Sequence, residues 1–104
     1  MNPDQLTACL AVHVMHWRVG PDRFLTGDRG WLPRWKFQPV QKMADAVRLL
    51  EAANTQEYSV AAIPNGRFCA RVRIEGVDSE AHAATKPLAI CLAVAAAVGT
   101  GVDR

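Results

Sequence analysis

The architecture is inferred from one segment near the end of the sequence, Thr85-Lys86-Pro87-Leu88-Ala89-Ile90-Cys91-Leu92-Ala93. Proline at the first helical position costs no hydrogen bond, because the first amides of a helix have no intrahelical acceptor. The residues after Pro87 are apolar on every side, and a helix of that kind must be covered by other elements. The segment therefore predicts a central helix that begins at Pro87.

The amino end of this helix is a candidate anion site. Thr85 and Lys86 bring a hydroxyl and an ammonium beside the first helical amides, where the helix dipole favours negative charge. The structural alternative is that Thr85 only caps the helix and that Lys86 is solvated. Both interpretations stay open at the level of sequence.

Size and composition predict one domain over residues 1–104. Half of the residues are hydrophobic, which excludes a disordered tail, and a net charge of +2 is small for a nucleic-acid-binding domain. An odd number of cysteines among apolar neighbours is typical of reduced thiols in a cytosolic protein. The longest apolar run, residues 87–98, is too short to span a bilayer. We therefore expect a soluble, cytoplasmic protein with no membrane contact.

Hydrophobic periodicity predicts a first helix that is capped by Asn2 or Asp4 and ends near Trp17. Residues 18–38 follow, rich in glycine, proline and tryptophan, and this composition predicts a loop. One short extended pair is expected within this loop, around Arg23-Phe24-Leu25.

The second half of the chain predicts a helix, a hairpin and the central helix. An amphipathic pattern from residue 39 to about residue 54 indicates the helix. Strands are predicted at 58–63 and 67–75 around a type I′ turn signal, Asn65-Gly66, with a short third strand at 79–84. The order αα-ββ(β)-α predicts an α/β (α+β) protein. We expect a small three-layer α/β/α sandwich in which an antiparallel hairpin-based sheet is packed between helices.

Three motifs resemble the phage ABA sandwich domain family: Val14-Met15-His16-Trp17, Trp35-Lys36-Phe37-Gln38-Pro39, and Ala84-Thr85-Lys86-Pro87-Leu88-Ala89-Ile90-Cys91. The resemblance spans most of the chain. The sequence departs from the family pattern at His16, where relatives tend to have glycine, and at Leu92, where a basic residue is common. The resemblance implies a three-layer sandwich encoded by a phage or prophage, and it implies no activity.

Arginines on the second hairpin strand are candidate phosphate ligands. Arg71 and Arg73 share a strand face with Arg67, and the first two are about 7 Å apart by strand rise. That spacing suits two phosphates of one nucleotide, because guanidinium groups match phosphate oxygens in pairs. The alternative is an exposed strand that is protected from aggregation by its charge.

Aromatic residues of the loop are candidate stacking partners for a base. Trp31, Trp35 and Phe37 alternate with the cations Arg34 and Lys36, a pattern that can stack a base and neutralise its phosphate. The alternative is that these rings fill a small core or form a dimer contact.

The sequence favours neither a metal site nor an enzyme. Cys9, His13 and His16 share a face of the first helix, but their spacing matches no known ligand pattern, and only His82 and Cys91 could complete such a site. No nucleophile motif is present. A catalytic cluster of His82, Glu80 and Cys69 is conceivable if the hairpin and the third strand adjoin, although no spacing supports it.

The leading hypothesis is a non-enzymatic phage or prophage protein that sequesters a phosphate-bearing small molecule and needs no cofactor. By analogy with phage proteins that absorb immune signals, the ligand is a cyclic nucleotide or a cyclic ADP-ribose-like molecule. A homo-oligomer would deepen the pocket. In this hypothesis the phosphates are bound around one hollow by four side chains, those of Arg71, Arg73, Thr85 and Lys86. The base stacks on Trp31, Trp35 or Phe37. The alternative is a module that docks a host or phage protein through the aromatic loop, and nucleic acid is not expected as a partner.

Overall fold

Residues 3–20, 23–26, 30–33 and 36–98 are described by the computed structural model of the chain. The helices within them are α1 (Pro3–His13), α2 (Met43–Ala52) and α3 (Lys86–Ala97). One three-stranded antiparallel sheet consists of β1 (Arg18–Val19), β2 (Arg23–Leu25) and β3 (Trp31–Pro33). The other consists of β4 (Thr55–Ile63), β5 (Arg67–Ile74) and β6 (Val77–Ala83). The predicted α+β class is confirmed.

The central element is α3. Thr85 caps it, with its Oγ1 accepting a hydrogen bond of 3.4 Å from the Leu88 amide. Ala89, Ile90 and Val94 are fully buried. The helix packs against β5 and β6, and both α1 and α2 pack against the helix. None of the helices in the described residues is long and apolar enough to cross a membrane.

The β4–β6 sheet is joined by two tight turns with left-handed residues. The first is a three-residue loop between Ile63 and Arg67, and it contains Asn65 at φ 80° and Gly66 at φ 69°. The second is a two-residue turn, Glu75-Gly76, with φ of 51° and 79°. Because this turn is so short, β6 begins at Val77, two residues before the third strand that the sequence predicted at 79–84.

The two faces of this sheet differ in burial. On β5, Ala70, Val72 and Ile74 lie under α3 and are at most 4% exposed. The alternate residues Arg71 and Arg73 are exposed on the opposite face. Among the described elements, α3 packs on the Val72 face of this sheet, and the Arg71 face is exposed. A helix over the second face would bury the guanidinium groups, at a large desolvation cost.

The first helix ends at His13 and not near Trp17 as predicted. The amides of Val14 and Met15 both donate to the Leu10 carbonyl, at 2.9 and 3.3 Å, and the Trp17 amide donates to the Ala11 carbonyl at 2.9 Å. His16 breaks the helical path because its φ is 60°, in the left-handed region that glycine adopts at least cost.

Candidate functional site

The surface of the β4–β6 sheet opposite α3, here called the open face, carries most of the polar side chains of these strands. Strand register arranges them in three rows, Glu57–Arg73–Asp78, Ser59–Arg71–Glu80 and Ala61–Cys69–His82. Side chains of direct cross-strand partners lie close enough to interact. Opposite charges therefore face one another in the first two rows, and a thiol faces an imidazole in the third.

A shallow groove of about 920 Å³ crosses the open face. All three strands line it, and the charged lining consists of two guanidinium groups and three carboxylates, from Arg71, Arg73, Glu57, Asp78 and Glu80. Its volume lies within the range of about 300–1,000 Å³ that is usual for small-molecule sites. An anion that enters the groove must compete with the carboxylates for the arginines.

The two arginines of the groove differ in how firmly they are held. Arg73 forms a fork with Asp78, with Nε–Oδ1 at 2.7 Å and Nη2–Oδ2 at 3.2 Å. These hydrogen bonds lower the pKa of Asp78 and raise the pKa of Arg73. Arg71 has a longer contact, 3.6 Å from its Nε to Glu80 Oε1, and its side chain is 71% exposed. Arg71 is therefore the more available of the two cations.

Cys69, Glu80 and His82 form a compact cluster beside the groove, and Glu80 is also part of the groove wall. The Cys69 thiol donates to Glu80 Oε1 at 2.9 Å, and His82 Nε2 lies 3.3 Å from the same oxygen. The hydrogen bond to Glu80 raises the pKa of Cys69, so the thiol is held in its protonated form. The hydrogen bonds from Cys69 and His82, together with the charge of Arg71, lower the pKa of Glu80. A protonated thiol is a weak nucleophile, and this arrangement does not resemble an activated cysteine.

Thr85 and Lys86 do not reach the groove, contrary to the predicted convergence. Thr85 Oγ1 is engaged by the cap of α3, and Lys86 Nζ lies 5.6 Å from the centroid of the Phe68 ring. Phe68 occupies the face of β5 that packs on α3, whereas Arg71 points to the open face. The start of α3 and the arginines therefore lie on opposite faces of one sheet, because successive side chains of a strand alternate.

The aromatic residues predicted to bind a base lie in different environments. Phe37 is 0% exposed and packs edge-on against Trp17 and Phe24, with ring centroids 5.1 and 5.7 Å away. Its assignment to the ligand site is wrong, because a buried ring offers no face to a base. Trp31 is 56% exposed on β3, with the Arg23 guanidinium 4.9 Å from its ring centroid, and it does not line the groove. Trp35 lies outside the described residues.

The possible metal ligands on the first helix, which the sequence did not favour as a site, are not brought together. His16 lies beyond the end of α1, so it does not continue the helical face of Cys9 and His13. Within the described part of the chain, one group of three His, Cys, Asp or Glu side chains has all its ligand atoms within 4.8 Å, and it is Cys69, Glu80 and His82. The strand register that forms this group is not visible as a spacing motif.

The three thiols are expected to differ in reactivity. Cys91 is buried, which raises its pKa to about 12, whereas Cys9 and Cys69 are partly exposed. We expect a disulfide reagent at neutral pH to modify Cys9 first, Cys69 more slowly because its pKa is raised, and Cys91 only after unfolding. Peptide mass spectrometry of the modified protein gives the order. Modification of Cys91 in the folded protein as fast as Cys9 would contradict the burial described here.

Comparisons with known proteins agree with this architecture. The sequence profile of a family described as "Phage ABA sandwich domain" matches residues 8–95. Among solved structures, the chain is similar to the crystal structure of a phage protein from Bacillus cereus ATCC 14579. The two are 19% identical, the TM-score is 0.76, and the match covers 93% of this chain and 92% of that one. At this identity the likeness shows the fold alone. No curated protein matches the chain.

Proposed function

The chain belongs to the phage ABA sandwich domain family, and we propose that it is a phage protein that binds and sequesters a phosphate-bearing small molecule without reacting with it. The observation that carries the proposal is the groove on the open face, with the exposed Arg71 side chain in its wall. Nucleotide signals of bacterial immune systems, such as cyclic nucleotides or cyclic ADP-ribose-like molecules, are the proposed ligand class, because a phage gains protection by absorbing them.

Arg71 is proposed as the main phosphate ligand. Its contact with Glu80 is a solvent-exposed ion pair at 3.6 Å, and such pairs contribute little to stability. A phosphate can therefore replace the carboxylate at small cost and gain paired hydrogen bonds from the guanidinium group. The raised pKa of Arg73 keeps its guanidinium group charged as well. Its two hydrogen bonds to Asp78 are donated by Nε and Nη2, and neither of them uses Nη1. The pair can thus hold two phosphates about 7 Å apart.

The proposal concerns phosphate recognition and not base recognition. Among the described residues, none of the predicted aromatic side chains lines the groove. Thr85 and Lys86 are also left out, since they lie at the start of α3. The ligand-binding residues retained from the sequence are therefore Arg71 and Arg73.

The test is an affinity comparison within β5. A thermal-shift panel of phosphate-bearing compounds, including a cyclic dinucleotide and cyclic ADP-ribose, selects a ligand, and calorimetry measures its Kd. We expect Arg71→Ala and Arg73→Ala each to weaken binding about tenfold or more, the usual effect of losing a hydrogen bond to a charged group. Arg67→Ala is the matched control, because it removes the same charge from the same strand face outside the groove.

Two results would overturn this assignment. One is an equal loss of affinity in all three variants, which would indicate a general electrostatic effect. The other is unchanged affinity in both Arg71→Ala and Arg73→Ala. Sequestration additionally requires that the ligand is recovered chemically intact after long incubation with the protein, and mass spectrometry of the released molecule checks this.

A second candidate function is docking of a host or phage protein, and one observation favours it. Trp31 and Leu25 are direct partners across β2 and β3, and they are 56% and 40% exposed. Exposed aromatic and aliphatic side chains side by side are typical of interaction sites. If this function is right, Trp31→Ala abolishes capture of one host protein while Arg71→Ala leaves it intact. Equal capture by both variants would argue against docking through this patch.

A homo-oligomer in the host cytoplasm remains part of the proposal. Both β4 and β6 are edge strands, and the main-chain groups along such edges can pair with a second copy. Light scattering during size-exclusion chromatography measures the mass directly. A monomeric mass at micromolar concentration would contradict the oligomer, and ligand binding would then be expected from the groove of a single chain.

A further inference from the structure

The geometry points to a transition-metal site on the open face, in which Cys69, Glu80 and His82 bind one Zn²⁺ ion. The sulfur, carboxylate oxygen and ring nitrogen all lie within 4.8 Å of one another. This inference does not rest on the proposed phosphate ligand. Glu80 also lines the groove, but Cys69 and His82 do not, and the test uses a different probe.

Strand pairing holds the three donors in place. Cys69 on β5 and His82 on β6 are direct cross-strand partners, and Glu80 lies two residues before His82 on the same face. Glu80 Oε1 is 2.9 Å from Cys69 Sγ and 3.3 Å from His82 Nε2. Donor atoms around a tetrahedral zinc are about 3.3–3.6 Å apart, a separation that follows from metal–ligand bonds of about 2.0–2.3 Å. The cluster therefore needs only side-chain rotations to receive the ion.

The donor types favour zinc over calcium or magnesium. Thiolate and imidazole are ligands of Zn²⁺ and similar metals, whereas calcium and magnesium prefer oxygen alone. Three protein ligands leave a fourth position, as in zinc sites that bind water or a substrate. Because Glu80 and His82 are exposed, that position faces solvent.

The charges of the three ligands are compatible with a bound Zn²⁺ ion. On binding, the Cys69 thiol loses its proton to solvent, and His82 binds through Nε2 with its proton on Nδ1. The thiolate and the Glu80 carboxylate together match the two positive charges of the metal. Arg71 lies 3.6 Å from Glu80 Oε1 and is 71% exposed, so it can turn towards solvent as the metal takes its place.

Cobalt substitution tests the inference without any assay of function. The protein with reduced thiols is titrated with Co²⁺, and the thiolate-to-cobalt charge-transfer band is followed in the near ultraviolet. We expect the band to saturate at one ion per chain and to disappear when Zn²⁺ is added in competition. Cys69→Ser and His82→Ala are expected to lose the saturable band. Cys9→Ser is the matched control, since it removes a partly exposed thiol elsewhere and should leave the band unchanged.

Each result of the Co²⁺ titration either supports or contradicts the metal site. No charge-transfer band in the unsubstituted protein at millimolar Co²⁺ would overturn the inference, as would a band that persists in Cys69→Ser or is lost in Cys9→Ser. If His82→Ala loses its fold by circular dichroism, His82→Gln replaces it, and retention of full affinity in that variant would also overturn the three-ligand site. Loss of the charge-transfer band in Cys69→Ser and in His82→Ala, with an unchanged band in Cys9→Ser, supports the metal site.

Discussion

Phe37→Ala is expected to lower the free energy of unfolding by about 3–5 kcal/mol, the usual cost of deleting a buried aromatic ring. Phe37 is 0% exposed, and its ring contacts both Trp17 and Phe24. The three rings join the segment after α1 to β2 and to the segment before α2. Truncation leaves a cavity among side chains from three parts of the chain, which cannot easily collapse to fill it.

Trp31→Ala is the matched control for this prediction, and denaturant unfolding measures both variants. Trp31 is 56% exposed and contacts the Arg23 guanidinium, so we expect its loss to cost less than about 1 kcal/mol. The loss in Phe37→Ala would be a large part of a total stability that is usually about 5–15 kcal/mol. Equal stability of Phe37→Ala and the unsubstituted protein would return Phe37 to the list of ligand-binding candidates.

Ile90→Ala is expected to cost about 2–5 kcal/mol of unfolding free energy. Ile90 is fully buried on α3, the helix that contacts the β4–β6 sheet as well as α1 and α2. Its truncation removes packing from the one element that holds the layers together. The variant is expected to unfold in a single transition at lower denaturant concentration.

Val12→Ala is the control, because Val12 lies on a helix but is 44% exposed. We expect a change within about 0.5 kcal/mol, since surface substitutions of this kind have small effects. Thermal and denaturant unfolding of both variants distinguish the sites. If Ile90→Ala lowers the free energy of unfolding no more than Val12→Ala does, then α3 is not the centre of the core.

The sequence predicted the parts of the fold that depend on local pattern. The uniformly apolar stretch from Pro87 to Val98 predicted a buried helix, and α3 is buried. The alternation of Val72 and Arg71 predicted one core face and one charged face on β5, which the structure has. These features follow from side-chain periodicity and require no knowledge of distant contacts.

The predicted convergence of the ligand site failed because it ignored a consequence of the same alternation. If α3 covers the Val72 face, then Lys86 at its start lies on that side of the sheet, and Arg71 lies on the other. The predicted end of α1 was wrong for a different reason. His16 adopts a left-handed φ, which glycine adopts at least cost, and hydrophobic periodicity carries no information about it.

The cluster of Cys69, Glu80 and His82 depends on a turn that the sequence marks weakly. The two-residue turn Glu75-Gly76 sets the register of β5 against β6, and that register brings the three side chains together. Asn-Gly and Asp-Gly are the strong signals for such turns, and Glu-Gly is not among them. With the third strand predicted to start at residue 79, the sequence indicated the three residues only as a conceivable cluster and did not give their register.

We propose that the open face of the β4–β6 sheet is the ligand-binding surface. The most direct measurement is the change in backbone amide chemical shifts during titration with the phosphate-bearing compound selected by thermal shift. We expect the largest changes in the groove, at Ser59, Arg71, Arg73 and Glu80. Changes concentrated instead at the start of α3 or around Trp31, with the groove residues unaffected, would contradict it.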